Sequence, residues 1–286
     1  MKLGLKTKVP DAVPETSLQA TALRLRRTVL EMCYENGGHI STSFSCVEIL
    51  TALYFGVLRI DPTNPKMPER DRFILSKGHG ESILYAVLAE CGFFPQEWLI
   101  SRYRKGDCLL GGHVNHHVPG VEVTTGALGH GLSIGCGMAL AAQRAKQDWR
   151  CFVLLGDAEC SEGSVWEAAL FAAKHRLDNL VAIVDYNRIG SLDFTCNYLA
   201  LEPFAEKWSA FGWAVDRVDG HDIAALQNCI GSTRGKGVGR PRMIVADTVK
   251  GKGAAVFEND PIWHVRAVTD DIIEEARAAL SGKDKS

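Results

Sequence analysis

Two rhythms of apolar and polar positions alternate along the chain. Two continuous apolar runs, at 151–155 and 180–184, are closed by the polar groups Gly156-Asp157-Ala158-Glu159 and Asp185-Tyr186-Asn187. The segment between them has helical spacing, so the block predicts strand, turn, helix, strand. Such a βαβ unit crosses over right-handedly, leaving parallel strands with Asp157 and Asn187 at neighbouring carboxyl ends. Upstream, Leu18, Leu25, Val29 and Met32 share one helical face. Thr16 or Ser17 opens that helix, and Asn36-Gly37-Gly38 stops it. The same reading expects helices over 46–57, 81–90, 96–103, 132–147 and 203–211, and another from Asp222. Short strands are expected at 72–75, 213–218 and 243–248, with a connecting loop at 61–70 and an aperiodic, ordered loop at 105–125. The alternation predicts an α/β fold, a mostly parallel sheet with helices on both faces. Its expected limits are an N-terminal arm at 1–15, one domain at 16–275 and a charged tail at 276–286.

Ligands of open α/β sheets sit in the crevice outside the carboxyl ends of the strands. A carboxylate and an amide oxygen placed there, Asp157 and Asn187, suit a hard cation such as Mg²⁺ or Ca²⁺. The local alternative is that Asp157 caps the next helix and Asn187 occupies a turn. Spacing by itself leaves both open.

The length of 286 residues accommodates one α/β domain with an extra terminal layer. The 28 glycines gather in places such as 126–137 and 251–253, as expected where backbone approaches a ligand. A net charge of −2 gives no bulk attraction to nucleic acid or anionic lipid, and Arg24, Arg26 and Arg27 read as a solvated helix face. Nine cysteines without a Cys-x-x-Cys pair argue against a disulfide framework or a structural zinc site. With no signal peptide and no apolar run of spanning length, a reduced, cytoplasmic chain without membrane contact is expected.

Nine histidines remain to be placed, several beside glycine: Gly38-His39, Gly78-His79-Gly80, Gly112-His113 and Gly129-His130-Gly131. Taken singly, each is more simply a surface or hydrogen-bonded structural residue. His113, His116 and His117 invite a zinc reading, which neither a cysteine pair nor a His-Glu-x-x-His helix supports.

The flanking words carry more. The block from Gly156-Asp157 to Asn187 resembles the thiamine diphosphate-binding signature, with Ala158 where the pattern has its second glycine. Gly-Asp-Ala-Glu-Cys-Ser-Glu-Gly-Ser-Val-Trp-Glu-Ala-Ala, from Gly156, is similar to the transketolase version. So are Leu75-Ser76-Lys77-Gly78-His79-Gly80, Gly111-Gly112-His113, Pro119 through Gly129, and Lys250-Gly251-Lys252-Gly253 followed by Trp263-His264. These matches stand in the family's order and cover about residues 18–275. The resemblance implies a thiamine diphosphate-binding fold and transfer of a two-carbon ketol unit from a ketose to an aldose, free or phosphorylated. It implies a cation, Mg²⁺ with Ca²⁺ or Mn²⁺ as alternatives, on Asp157, Asn187 and the Ile189 carbonyl. By the same resemblance His79 and His264 approach the diphosphate, Gly126 and Leu128 offer contacts near the aminopyrimidine, and Gly156 and Ala158 complete the cofactor contacts. His39, His113 and His264 fall on the face that exchanges protons with the sugar, chemistry that suits imidazoles. Glu162 corresponds to an acid at a subunit contact that communicates with the cofactor, whereas Glu167 has the simpler reading of a solvated helix face. His130 stands where glutamine is common.

A whole transketolase has three regions, and the motifs here cover the first. The wording from Asp178 to Asn187 is similar to that of transketolases split into two polypeptides. The resemblance therefore implies a partner subunit carrying the pyrimidine domain, and two-fold closure, the commonest symmetry, predicts two copies of each subunit in the assembly. Two alternatives stay open: the α-type subunit of a split 2-oxo-acid dehydrogenase, and a non-catalytic binding partner.

Overall fold

A computed structural model describes residues 17–106, 109–231 and 239–281; the proposed N-terminal arm and the end of the charged tail lie outside them. The chain opens with α1 (Leu18–Asn36), α2 (Ile40–Ser45) and α3 (Val47–Ala52), followed by β1 (Arg72–Leu75). Then come α4 (Glu81–Glu90), α5 (Trp98–Ser101) and α6 (Gly131–Arg144), leading to β2 (Cys151–Gly156), α7 (Gly163–Lys174) and β3 (Leu180–Tyr186). The remainder is α8 (Thr195–Tyr198), α9 (Phe204–Ala210), β4 (Ala214–Asp219), α10 (Ile223–Gly231), β5 (Arg242–Asp247) and α11 (Asp270–Leu280).

Among the described residues the strands form one five-stranded sheet in the order β1-β2-β3-β5-β4. Every pairing is parallel, as expected from the crossovers. The β2–β3 register sets Gly156 opposite Asp185, so the polar residues that follow the two runs emerge side by side. Alternate strand residues feed two cores. Phe152, Leu154, Val181, Ile183, Ile244 and Ala246 pack in the core that also holds residues of α1, α3, α4, α10 and α11. Val153, Leu155, Ala182, Val184, Met243 and Val245 pack with residues of α6, α7 and α9. Burial on both faces explains why the strands read as continuous apolar runs.

Three expectations change. The helix expected from Cys46 begins at Ile40, breaks at Cys46 and ends in a π turn at Leu53–Val57. The polar look of Ser41-Thr42-Ser43-Phe44-Ser45 hides a buried helix whose hydroxyls bond across the fold: Ser43 Oγ lies 2.7 Å from Ser82 Oγ, and Ser41 Oγ donates to the Trp263 carbonyl at 3.0 Å. The helix expected over 96–103 contracts to α5. The arginines of α1 form a solvated face only in part: Arg24 and Arg27 are exposed, and Arg26 is not. Arg26 is buried, paired with Glu48 at 2.5 Å and bonded to the Lys252 carbonyl at 2.8 Å. Arg27 donates to the Leu280 carbonyl at 2.9 Å and so ties α1 to α11.

Close packing also fixes the turn after β5. Gly251 has φ +83°, and a Cβ there would lie 2.0 Å from the Phe257 carbonyl oxygen. A Gly251→Ala substitution therefore meets both left-handed backbone strain and a backbone clash, and should cost about 1–3 kcal/mol or more. Denaturant unfolding would measure this; an unchanged midpoint would show that the turn relaxes freely.

Candidate active site

Strands β1, β2, β3 and β5 deliver Ser76-Lys77, Gly156-Asp157, Asp185 to Asn187 and Thr248 to one end of the sheet. A cavity of about 650 Å³ opens there. Its walls include His39, His79, His113, His264, Gly126, Leu128, Gly156, Asp157, Ala158, Asn187 and Ile189, together with Lys77, Lys250 and Glu159. Glu162 does not line it: the side chain is exposed at the start of α7. His130 and His116 are exposed as well, and His116 Nδ1 lies 2.7 Å from Thr124 Oγ1.

The floor is built on Asp185, a wholly buried carboxylate. It accepts from Lys77 Nζ and Thr248 Oγ1, from Ser45 Oγ at 2.5 Å and from Asn187 Nδ2 at 3.1 Å. Burial by itself would raise its pKa, but the Lys77 ammonium and the donors around it outweigh burial and hold the group below the ordinary carboxylate value. Such a buried pair is stable because its remaining lone pairs are satisfied.

Asp157 follows β2 and does two things at once. Its Oδ1 accepts from the Ala158 N–H at 2.7 Å, the cap expected of it, and its Oδ2 accepts from the Arg188 N–H. Burial, then the charge of Asp185, pushes its pKa up to about 7. Positive charge supplied from the cavity would stabilise its carboxylate form. Ala158 sits in a 3₁₀ turn, outside the positive-φ residues, so a second glycine is not required for its backbone. The Asn187 Oδ1 accepts from the Ile189 N–H at 3.1 Å, the turn geometry expected for asparagine. Between them Arg188 adopts φ +64°, a left-handed value rare for a side chain of this size. Its guanidinium pairs with Asp247 at 2.8 Å and lies 5.3 Å from the Tyr186 ring centroid, which pins the turn from outside.

Lys250 was legible in a motif but not as a cavity cation. Its ammonium donates to the Gly190 and Ile189 carbonyls at 2.7 and 3.2 Å, so these oxygens are aimed at positive charge. Burial, then Lys77, lowers its pKa to about 8. Glu159, also missed, is a buried tie: it accepts from Ser76 Oγ, from the Gly129 N–H at 2.9 Å and from the Gly156 N–H at 3.0 Å. One carboxylate thereby locks the glycine loop of Gly126 and Leu128 against β1 and β2. Neither residue has a periodic or spacing signal; each is identified by its buried partners.

Four imidazoles face one another across the cavity. The His39 ring lies 5.6 Å from His79, 5.8 Å from His113 and 5.6 Å from His264, and His79 lies 5.1 Å from His264. Burial, then the Lys77 charge, keeps the His79 pKa far below the usual imidazole value. Burial, then the Lys250 ammonium, lowers that of His264 to about 3. Between this value and about 6.5, where an unfolded histidine titrates, the unfolded chain binds a proton that the folded chain excludes. The stability contributed by neutral His264 is therefore complete above about pH 6.5 and is lost as pH falls towards 3. His264→Phe should flatten the acid-side loss of stability across that window, measured by urea unfolding at stepped pH. An unchanged profile would show that His264 is not held neutral by the fold.

Residues 19–286 match the family model for the transketolase thiamine diphosphate-binding domain. The chain is 43% identical over 267 residues to an apulose-4-phosphate transketolase subunit of Actinobacillus succinogenes, covering 93% of this chain and 96% of the relative. It is 41% identical over 267 residues to the 6-deoxy-6-sulfo-D-fructose transketolase subunit SqwG of Clostridium sp. strain MSTE9, covering 93% and 97%. The crystal structure of transketolase from Campylobacter jejuni superimposes with a TM-score of 0.86 at 28% identity, over 94% of this chain and 43% of that one. The chain thus spans less than half of the full-length transketolase and nearly all of the subunit relatives. Among the described residues no helix is long and apolar enough to cross a membrane. The chain belongs to the transketolase family, as a transketolase-type subunit carrying the family's thiamine diphosphate-binding domain.

Proposed function

We propose that the chain is the diphosphate-binding subunit of a two-chain transketolase, moving a two-carbon ketol unit from a ketose to an aldose when assembled with a second chain that carries the pyrimidine domain. The observation that carries this reading is the convergence of Asp157, Asn187 and the Ile189 carbonyl with four imidazoles around one cavity. The subunit relatives are named for different sugars, so ketol transfer rather than one donor is the activity assigned.

The residues present fit a diphosphate held through a divalent cation. Asp157 is a buried carboxyl whose ionised form favours a positive neighbour, and the Ile189 carbonyl already attracts an ammonium. Asp157, Asn187 and Ile189 would hold Mg²⁺, all through oxygen, as a hard cation requires. Gly156, Ala158, His79 and His264 would face the diphosphate, and Gly126 and Leu128 the aminopyrimidine. Thiamine diphosphate supplies the carbanion chemistry when bound. The chain's own part is orientation and proton handling: His39, His113 and His264 would hold and exchange protons on sugar hydroxyls, chemistry that suits imidazoles. Exposed Glu162, at the start of α7, is available to a partner surface rather than to this cavity. Two-fold closure, the commonest symmetry, gives two copies of each chain. A reduced cytoplasmic setting, from the cysteine pattern, completes the proposal.

Three measurements test it. Asp157→Ala should abolish Mg²⁺-dependent binding of thiamine diphosphate to the assembled complex in calorimetry with and without chelator; unchanged affinity rejects the cation assignment. His113→Ala should lower kcat/KM by about 10²–10⁴ with little change in cofactor affinity, and near-normal turnover returns it to a structural role. Activity should appear only on mixing the chain with its partner, whereas full ketol transfer by this chain alone refutes the two-chain reading.

A further inference from the structure

His39 stands at the centre of the imidazole cluster, and a carboxylate lies behind it. Glu81 Oε2 is 3.6 Å from His39 Nδ1, just beyond hydrogen-bond range. Both atoms are buried and neither has a hydrogen-bond partner among the described residues. Buried polar atoms are rarely left so, and here the two orphans are complementary neighbours. A small turn of the imidazole about its broad terminal torsion closes the gap at little cost.

The surroundings hold this pair in place. The Glu81 side chain is fully inaccessible, and its other oxygen, Oε1, accepts from Tyr103 Oη at 2.8 Å. Glu81 is the first residue of α4, where the helix end favours negative charge. On the other side, the turn before His39 runs tightly against the same phenol: a Cβ on Gly38, whose φ is +147°, would lie 2.5 Å from Tyr103 Oη. Tyr103, Glu81 and His39 therefore form one ordered row leading from the core to the cavity.

We propose that Glu81 is a positioning residue for His39. Its carboxylate accepts the Nδ1–H hydrogen bond, fixes that tautomer and leaves Nε2 as a bare acceptor for a hydroxyl of the bound sugar. His264 is set the opposite way. Its Nδ1 lies 3.1 Å from the Lys250 ammonium, which has donors and no lone pair. Nδ1 must then be the acceptor, so His264 carries its proton on Nε2. Between them His39 and His264 thus offer one imidazole lone pair and one imidazole N–H, a complementary arrangement for a substrate with adjacent hydroxyl and carbonyl oxygens.

The identity of the hydroxyl rests on the ketol-transfer reading; the tautomer does not. The test is two-bond ¹H–¹⁵N correlation on the full chain with labelled histidine, His39 being assigned by His39→Gln. The wild-type spectrum should place the His39 proton on Nδ1. Glu81→Ala should move it towards Nε2. Glu81→Gln, which keeps the shape and the Tyr103 contact but can donate as well as accept, should give a mixture. In the assembled complex Glu81→Gln should lower kcat more than it raises KM, reducing kcat/KM about 10- to 100-fold, the scale on which outer partners of functional histidines act. A wild-type Nε2–H form, or tautomer populations unaltered by both substitutions, overturns the proposal, as does an active complex whose kcat/KM ignores Glu81→Gln. An inactive complex with the Nδ1–H tautomer intact would refute the transferase reading and leave the assignment of Glu81 standing.

Discussion

The ion pair between Lys77 and Asp185 is the contact on which the rest of the site depends. Each ion pays several kcal/mol to leave water, and only a pair with its remaining valences filled recovers that cost. Ser45 from α2, Thr248 after β5 and Asn187 after β3 fill them here. Three strand ends and a helix are thereby tied to one carboxylate. The same contact holds the Asn187 amide by its nitrogen, which turns its oxygen to the Ile189 side of the turn.

Charge is divided within the cavity. Lys77 and Lys250 are cations of the cavity wall, and burial, then the charge of Lys77 and Lys250 respectively, keeps His79 and His264 neutral. Cations suit the anionic end of a ligand, whereas neutral imidazoles can both give and accept hydrogen bonds. The two kinds of group thus serve different ends of a bound molecule without competing. Asp157 is the counterweight, a carboxyl whose ionisation the buried floor opposes and a cation would favour.

Much of this was legible in the sequence where local pattern governs. The apolar runs at 151–155 and 180–184 became β2 and β3 with Asp157 and Asn187 at their ends, because burial on both faces leaves an uninterrupted signature. Of the glycine-flanked histidines, His39, His79 and His113 reach the cavity together with His264, whereas His130 stays at the surface. What escaped was set by partners distant in sequence. The helix at Ile40 to Ser45 escaped because its hydroxyls are satisfied by partners across the core. Arg26 looked solvated because its partner, Glu48, lies on another helix. Glu81, Glu159 and Lys77 are charged residues in helix or turn positions that ordinarily face water, and only tertiary contacts mark them as buried.

The left-handed turn at Arg188 carries a consequence of another kind. Its N–H bonds Asp157 in the cavity wall, yet the guanidinium that steadies it sits at the surface with Asp247, which Arg217 also grips at 2.7 Å. Exposed charge contacts weaken as ions crowd around them, with a screening length of about 8 Å at physiological ionic strength. Dissolved salt therefore acts on this turn from one side only: it screens the outer Arg188–Asp247 clamp, while the N–H bonds that orient the Asp157 and Asn187 oxygens lie out of its reach.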